Sequence, residues 1–413
     1  MSRKPALTCL ALAAALALGV TAAPAGTARS AGDPGVTSTS ILLGGTSPLS
    51  GPASAHAAVA RGAEAYFRYV NATGGVHGRK IVYEVLDDAS DPAQSAQATR
   101  RLVEQDRVFA VFNSFGSAQN LAVRDYLNAQ KVPQLFVASG ATTWGRDYAQ
   151  YPYTTGFQPS SEAEGWVYGK YLARTAPGAK IAVLFQSDDD GRDLLGGLKK
   201  GIRRSRVKVV AAQPYEVTAS DVGPQIAKLK SSGADTLAIF ATPTFAREAY
   251  ALADKLGWKP KRVIASAASS DADTMRLASA SGSNRIVEGT VSIVFVKDPT
   301  DPSWKNDRAI RQYRLIMKRY APGASIDDVD HVYGMAVAWT TVEALKRAGK
   351  DLTRASLLKA VDNLDAPGNP FLLPGIALKT AGADHYPIEQ MLLRRWQKGS
   401  WKSFGGLWGY RVS

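Results

Sequence analysis

"VFAVFNSFGSAQNLAVRDYLNAQKVPQLFVASGATTWG", residues 108–145, sets two short apolar runs, VFAVF (108–112) and PQLFV (133–137), on either side of a helical pattern near 117–130. A run that is apolar from end to end has no face to give to water, so each reads as a strand covered on both sides. Two such strands joined by a helix make a parallel unit. Small residues follow each strand: NSFGSAQN (113–120) after the first and SGATTWG (139–145) after the second. Both turns offer backbone N–H groups and hydroxyls near a helix start, a setting suited to an anion such as a carboxylate. A nucleophile turn, a phosphate cradle and a ligand clamp all fit that description, and the rest of the chain has to choose among them.

The same alternation extends both ways. Upstream, SILLGGT (40–46) leads into a segment with Ala60, Ala63, Phe67 and Val70 on one helical face, stopped by Gly74-Gly75. KIVYEVL (80–86) follows, and Asp91-Pro92 reads as an N-cap with proline at the first helical position. Downstream, a second series begins after YPYTTGFQP (151–159). Ser161 and Glu164 read as a capping box for a helix to about Thr175. KIAVLF (180–185), VKVVAA (207–212), DTLAIF (235–240) and RVIAS (262–266) then alternate with helices near 192–204, 221–231 and 244–256. Two such series predict an α/β fold of two doubly wound parallel-sheet lobes. Further on, IVEGTVSIVFV (286–296) is read as returning the chain to the first lobe. Long helices are expected near 303–320 and 329–348, and YPIEQMLLRRWQKGSWKSF (386–404) reads as a strand pair around Lys398-Gly399.

The N-terminus carries Arg3 and Lys4, an apolar run from Ala6 to Val20, then Ala23, Ala25 and Ala28. That order describes a secretory signal peptide over residues 1–28, cleaved after Ala25 or Ala28, and predicts a periplasmic or extracellular protein. The run is shorter than the roughly 20 residues a membrane span needs. Cys9, the single cysteine, would leave with it. Disulfides, thiolate metal sites and cysteine nucleophiles are thereby excluded. The formal charge of +14 falls to +12 without Arg3 and Lys4. The pairs Arg100-Arg101, Arg203-Arg204 and Arg394-Arg395 lie far apart and lack interleaved aromatics, so they read as solvated faces and not as a nucleic-acid surface.

Catalytic motifs are absent: the sequence has no G-x-S-x-G, no H-E-x-x-H and no G-x-x-x-x-G-K-[ST]. SDDDG (187–191) fails as a calcium loop, with Gln186 first and Gly197 twelfth where acids are required. It reads as a helix start, with Asp188 or Asp189 favouring the positive helix end. His56, His77, His331 and His385 never fall at metal-ligand spacing. No enzyme activity, no metal and no cofactor are expected. A Ser-His-Asp triad needs no fixed sequence order, so an exported hydrolase stays as an alternative.

Five stretches carry a wider likeness: TSPLSGPASAH (46–56), NATGGVHGRKI (71–81), LDDASDPAQSAQATRRLVEQDRV (86–108), KVPQLFVASGAT (131–142) and GFQPS (156–160). Through them residues 36–410 resemble the solute-binding proteins of branched-chain amino acid ABC transporters, the leucine/isoleucine/valine-binding group of the periplasmic binding protein type 1 family. The resemblance implies two lobes that close like jaws, with chain crossings near 154–158, 289–297 and 375–382. It divides the chain into a first lobe, 36–155 with 295–376, and a second, 156–294 with 377–413. It also implies a small-molecule ligand, delivery to the permease and ATPase components of an ABC importer, and a monomer. Ligand sensing for a signalling system is the alternative on the same fold.

Residue by residue, the family's carboxylate site corresponds to Gly116, Ser117, Gly140 and Thr142, so the resemblance makes the opening stretch a clamp. Ser50, His56, Phe115, Ala141, Asp190, Thr242 and Ala267 complete the expected ligand-binding set. The sequence departs from the family on the second jaw. Amino-acid binders place a glutamate after the strand matching RVIAS to hold the ammonium group, whereas ASAASSD (265–271) has no acid before Asp271. Asp190 stands where the family often has an aromatic, and His56 where it often has tyrosine. An ammonium left unpaired in a closed cleft is costly. Either Asp190 or a neighbour replaces the glutamate, or the ligand has no ammonium group.

Overall fold

A computed structural model describes residues 1–2, 33–382 and 384–412. Apart from its first two residues, the expected signal peptide, with its cleavage site, lies outside the described residues.

The first sheet grows from β1 (Ser40–Ser47), α1 (Ala57–Ala72), β2 (Lys80–Asp87), α2 (Pro92–Glu104), β3 (Ala110–Phe112), α3 (Ser117–Ala129), β4 (Gln134–Val137), the single turn α4 (Thr143–Arg146) and β5 (Thr154–Gly156). Its strands are parallel in the order β2-β1-β3-β4-β5. The central strands β3 and β4 are wholly buried, as continuous apolar runs require. The α1 positions Ala60, Ala63, Phe67 and Val70 face this core. Asp91 caps α2 by accepting from the amides of Ala93 and Gln94, with Pro92 at the first helical position.

The second sheet is built from α5 (Ser161–Thr175), β6 (Lys180–Gln186), α6 (Asp189–Ile202), β7 (Lys208–Tyr215), α7 (Gly223–Ser231), β8 (Thr236–Phe240), α8 (Pro243–Lys255), β9 (Arg262–Ala265), α9 (Ala272–Ala278), α10 (Asn284–Val287) and β10 (Val291–Val294). After α11 (Arg308–Tyr320), α12 (Val329–Ala348) and α13 (Arg354–Asp362), the hairpin β11 (Gln390–Gln397) and β12 (Ser400–Gly409) joins the same sheet. The strand order is β12-β11-β10-β9-β8-β6-β7, parallel except for that hairpin. α12 packs along α1, so these later helices cover the first sheet.

Two expectations are corrected. The apolar stretch 286–296 does not return to the first sheet as a strand: β10 pairs with β9 at Val291–Ile264 and with β11 along its whole length. The edge of β9 would otherwise stay open, and β10 covers it. The return comes after β10, at the end of the same run, where Val296 bridges Leu372 and the Lys297 amide donates to the Phe371 carbonyl. The capping box at the head of α5 is also absent. Ser160 is the N-cap, accepting from the Ala163 amide, and Glu164 turns inward to the core. The helices α4, α9, α10 and α13 have no counterpart in the sequence expectations.

Candidate functional site

The carboxyl ends of the strands in both sheets open on one cavity of about 160 Å³. In doubly wound folds this is where ligands sit, because the turns after the strands carry unspent backbone groups.

On the first-lobe side the wall is made by the two turns of the opening stretch. Gly116 caps α3 with φ 94°, a backbone state that side-chain-bearing residues rarely adopt. This places Ser117 at the first turn of α3, on the cavity wall. Ser117 Oγ lies 2.6 Å from Ser139 Oγ. Ser139 Oγ also accepts from Trp144 Nε1 at 2.9 Å and from the Ala141 amide at 3.2 Å. With both lone pairs engaged, Ser139 must donate to Ser117, which leaves the Ser117 hydrogen free for a ligand. A helix N-terminus with a free hydroxyl donor suits a carboxylate.

On the second-lobe side, Asp188 caps α6, accepting from the Gly191 amide at 2.9 Å and from Gln186 Nε2 at 2.6 Å. Asp190, in the first turn, lines the cavity and accepts from Ser161 Oγ at 2.6 Å. Burial, reinforced by the Asp188 charge, pushes the Asp190 carboxyl up to about 8 against the opposing Ser161 bond. At neutral pH this group is mostly protonated and can itself donate. Thr242, the N-cap of α8, and Ala267, after β9, complete this wall. Behind it, Glu164 Oε1 accepts from the Ala267 amide at 2.7 Å and from the Tyr168 hydroxyl at 2.8 Å. Burial pushes Glu164 up to about 7, with those two bonds opposing. Its spacing from Ser161 is that of a capping box, so nothing local marked it as a core acid.

Between the walls run Phe115, Phe240, Phe295 and Tyr333. His56 stacks on Phe115, with centroids 4.5 Å apart, and its Nδ1 lies 2.7 Å from Asp330 Oδ2. The buried Arg394 is held by Asp298 at 2.7 Å and by the Ser270 carbonyl at 3.0 Å, with Trp401 beneath its guanidinium. Four buried polar atoms on this lining have no hydrogen-bond partner among the described residues: His56 Nε2, Thr242 Oγ1, Tyr333 Oη and Arg394 Nε. Buried polar groups are nearly always paired, so unpaired atoms from both lobes around one cavity point to a ligand.

The structure therefore brings His56, Phe115, Gly116, Ser117, Gly140, Asp190, Thr242 and Ala267 to the lining. Three expected residues stand elsewhere. Ser50 is exposed, and its hydroxyl donates to Asp87 at 2.6 Å. Ala141 is packed with Val137 and Trp144. Thr142 is turned off the wall: its amide donates to Asp193 Oδ2 at 2.7 Å, and its carbonyl accepts from the Tyr386 hydroxyl at 2.6 Å. Beside it the Ser161 amide donates to the Gly140 carbonyl at 2.6 Å. A Cβ at Gly140 would fall 2.3 Å from Ser161 Oγ, so a larger residue here would displace the Ser161 hydroxyl from Asp190. Tyr333 and Asp330 went unrecognised in the sequence because they lie far from the strand-end turns, in a helix that reads as core. Arg394, read with Arg395 as a solvated face, is instead buried and lines the cavity, its charge met by Asp298.

Residues 40–400 match the sequence profile described as periplasmic binding protein. The chain belongs to the periplasmic binding protein family. Among curated members, the Leu/Ile/Val-binding protein homolog 7 of Brucella abortus (strain 2308) is 29% identical over 256 residues, 60% of this chain and 62% of that protein. The match thus spans less than two thirds of the relative. Among solved structures, the fatty acid ABC transporter substrate-binding protein from Thermomonospora curvata aligns with TM-score 0.75 and 20% identity over 92% of this chain and 95% of that one. A branched chain amino acid ABC transporter protein from Thermus thermophilus with bound valine aligns with TM-score 0.77 and 18% identity over 90% and 96%. At these identities the likeness establishes that this periplasmic binding protein shares their two-lobed α/β fold.

Proposed function

We propose that this chain captures a small carboxylate-bearing ligand between its lobes, 36–155 with 295–376 and 156–294 with 377–413, and delivers it to the permease of an ABC importer. It would do so as an exported monomer and without catalysis. The observation that carries this reading is the cavity, lined from both lobes and ringed by unpaired buried polar atoms. The carboxylate would sit at the start of α3, against the free Ser117 hydroxyl. For scale, an engineered apolar cavity of roughly 150 Å³ holds a benzene ring. A cavity of about 160 Å³ lined by phenylalanines therefore suits a compact acid.

The second wall bears on ligand class. An ammonium group would have to ionise Asp190 or pair with Asp188, each of whose oxygens already accepts one bond, from the Gly191 amide and from Gln186. A neutral Asp190 instead offers a hydrogen to a ligand oxygen. We therefore favour a carboxylate without an ammonium group. The test is mass spectrometry of the small molecules released when natively purified protein is denatured. A stoichiometric organic acid is expected; recovery of an amine or a sugar in its place would contradict the reading.

A further inference from the structure

His56 is buried, stands on the cavity wall, and is held in place twice. Its ring stacks on Phe115 with an interplanar angle of 23°, and Nδ1 meets Asp330 at the start of α12. Those contacts fix the ring and leave Nε2 as a buried atom with no partner among the described residues. A buried polar atom in that state is destabilising until something bonds to it. Asp330 keeps the hydrogen on Nδ1 in either charge state. Nε2 is consequently a donor when the ring is charged and a bare lone pair when it is neutral.

The titratable groups facing the ring are Asp330, Asp328 just before α12, and Asp271 at the head of α9 in the second lobe. Burial works against a charge on His56, but these carboxyl groups prevail and hold its pKa above that of ordinary imidazole. Asp328 is itself pushed up to about 8 by burial and by Asp330, so it carries little charge at neutral pH. The His56–Asp330 pair is then close to neutral as a whole. It offers a charge-assisted donor at Nε2 without demanding a second anion on the ligand.

We infer that His56 is a specificity-determining residue whose Nε2–H donates to an uncharged acceptor atom on the bound acid. The cavity would prefer carboxylates carrying a carbonyl, ether or ring-nitrogen lone pair to their hydrocarbon counterparts. This rests on the reading of the cavity as a carboxylate site.

Benzoate, nicotinate and isonicotinate share one shape and differ by a single acceptor nitrogen, so calorimetry with these three acids on the full chain isolates the contact. At neutral pH at least one pyridine acid should bind about tenfold tighter than benzoate. His56→Phe should bring that ratio to within about twofold, the acceptor having lost the donor at Nε2. In the wild type the ratio should also shrink as the pH rises through the His56 titration, because Nε2 then has no hydrogen to give. Should the Phe variant not fold, His56→Gln, which donates at every pH, should retain a preference that no longer varies with pH. If benzoate binds but neither pyridine acid is preferred, or the preference survives His56→Phe, the inference fails while the carboxylate reading stands. If none of the three acids binds, the carboxylate reading fails and this inference falls with it.

Discussion

The Thr142 amide, in the turn after β4, donates across the cleft to the Asp193 carboxylate on α6, 2.7 Å away. With the bond from the Ser161 amide to the Gly140 carbonyl, it fastens one lobe to the other beside the cavity. Bonds of this kind exist only while the lobes are together, so they weight the closed state and, through it, ligand affinity.

Asp193→Ala should therefore weaken binding of a small acid such as benzoate by about tenfold, the order expected for one hydrogen bond to a charged group. The melting temperature of the ligand-free protein should move much less. Calorimetry beside a thermal melt separates the two. An unchanged affinity would show that the seam does not govern closure.

The cradle at the start of α3 gives a second expectation. Ser139 donates to Ser117 Oγ and leaves its hydrogen free for the ligand, so Ser139→Ala should reduce affinity by about 1–3 kcal/mol. Thr142→Val should change it little, since that hydroxyl is off the wall. Equal losses in both variants would mean that the turn acts as one unit and that the assigned direction is wrong.

How far these residues could be read without coordinates follows from where they sit. Buried parallel strands such as β3, β4, β6 and β8 are continuous apolar runs, and Asp91-Pro92 announces α2, so most of both sheets was legible. The run 286–296 was not, because neither its apolar residues nor the breaks at Glu288, Gly289 and Thr290 say which sheet it joins. Glycine and serine at strand ends marked Gly116, Ser117 and Gly140. Which hydroxyl of SGATT reaches the cavity depends on one turn of backbone, and the family resemblance pointed to Thr142, whereas Ser139 is the one on the cavity lining. Asp330 arrives from a helix whose pattern speaks only of packing, and Arg394 from an arginine pair that charge alone assigns to solvent.

Stability should fall as the pH rises toward 8. Glu164 and Asp190 titrate near 7 and 8 in the folded protein, well above their ordinary carboxylate values. Between those limits the folded state holds more protons than the unfolded one. Their contribution is thus complete below the ordinary range and is lost as the pH climbs through the folded values. Glu164→Gln should flatten the decline in melting temperature between about pH 5 and 8, by an amount on the order of 3 kcal/mol. A wild-type melting temperature that rises over this window would contradict the assignment.

Ligand class can be tested with leucine and its 2-oxo acid, which differ at the ammonium position. The oxo acid should bind tighter, because losing a buried charge partner typically amounts to several kcal/mol. Should leucine bind well through Asp190, Asp190→Asn should abolish that binding. Tight leucine binding that persists in Asp190→Asn would refute both the preference and the role of Asp190.

The central claim is capture by closure of two lobes around one acid. Small-angle scattering across a titration with the copurifying acid, or with benzoate, reads it directly. The radius of gyration should decrease in proportion to occupancy, in step with a rise in melting temperature by linkage. Saturable micromolar binding with an unchanged radius of gyration would show that the lobes do not close on the ligand.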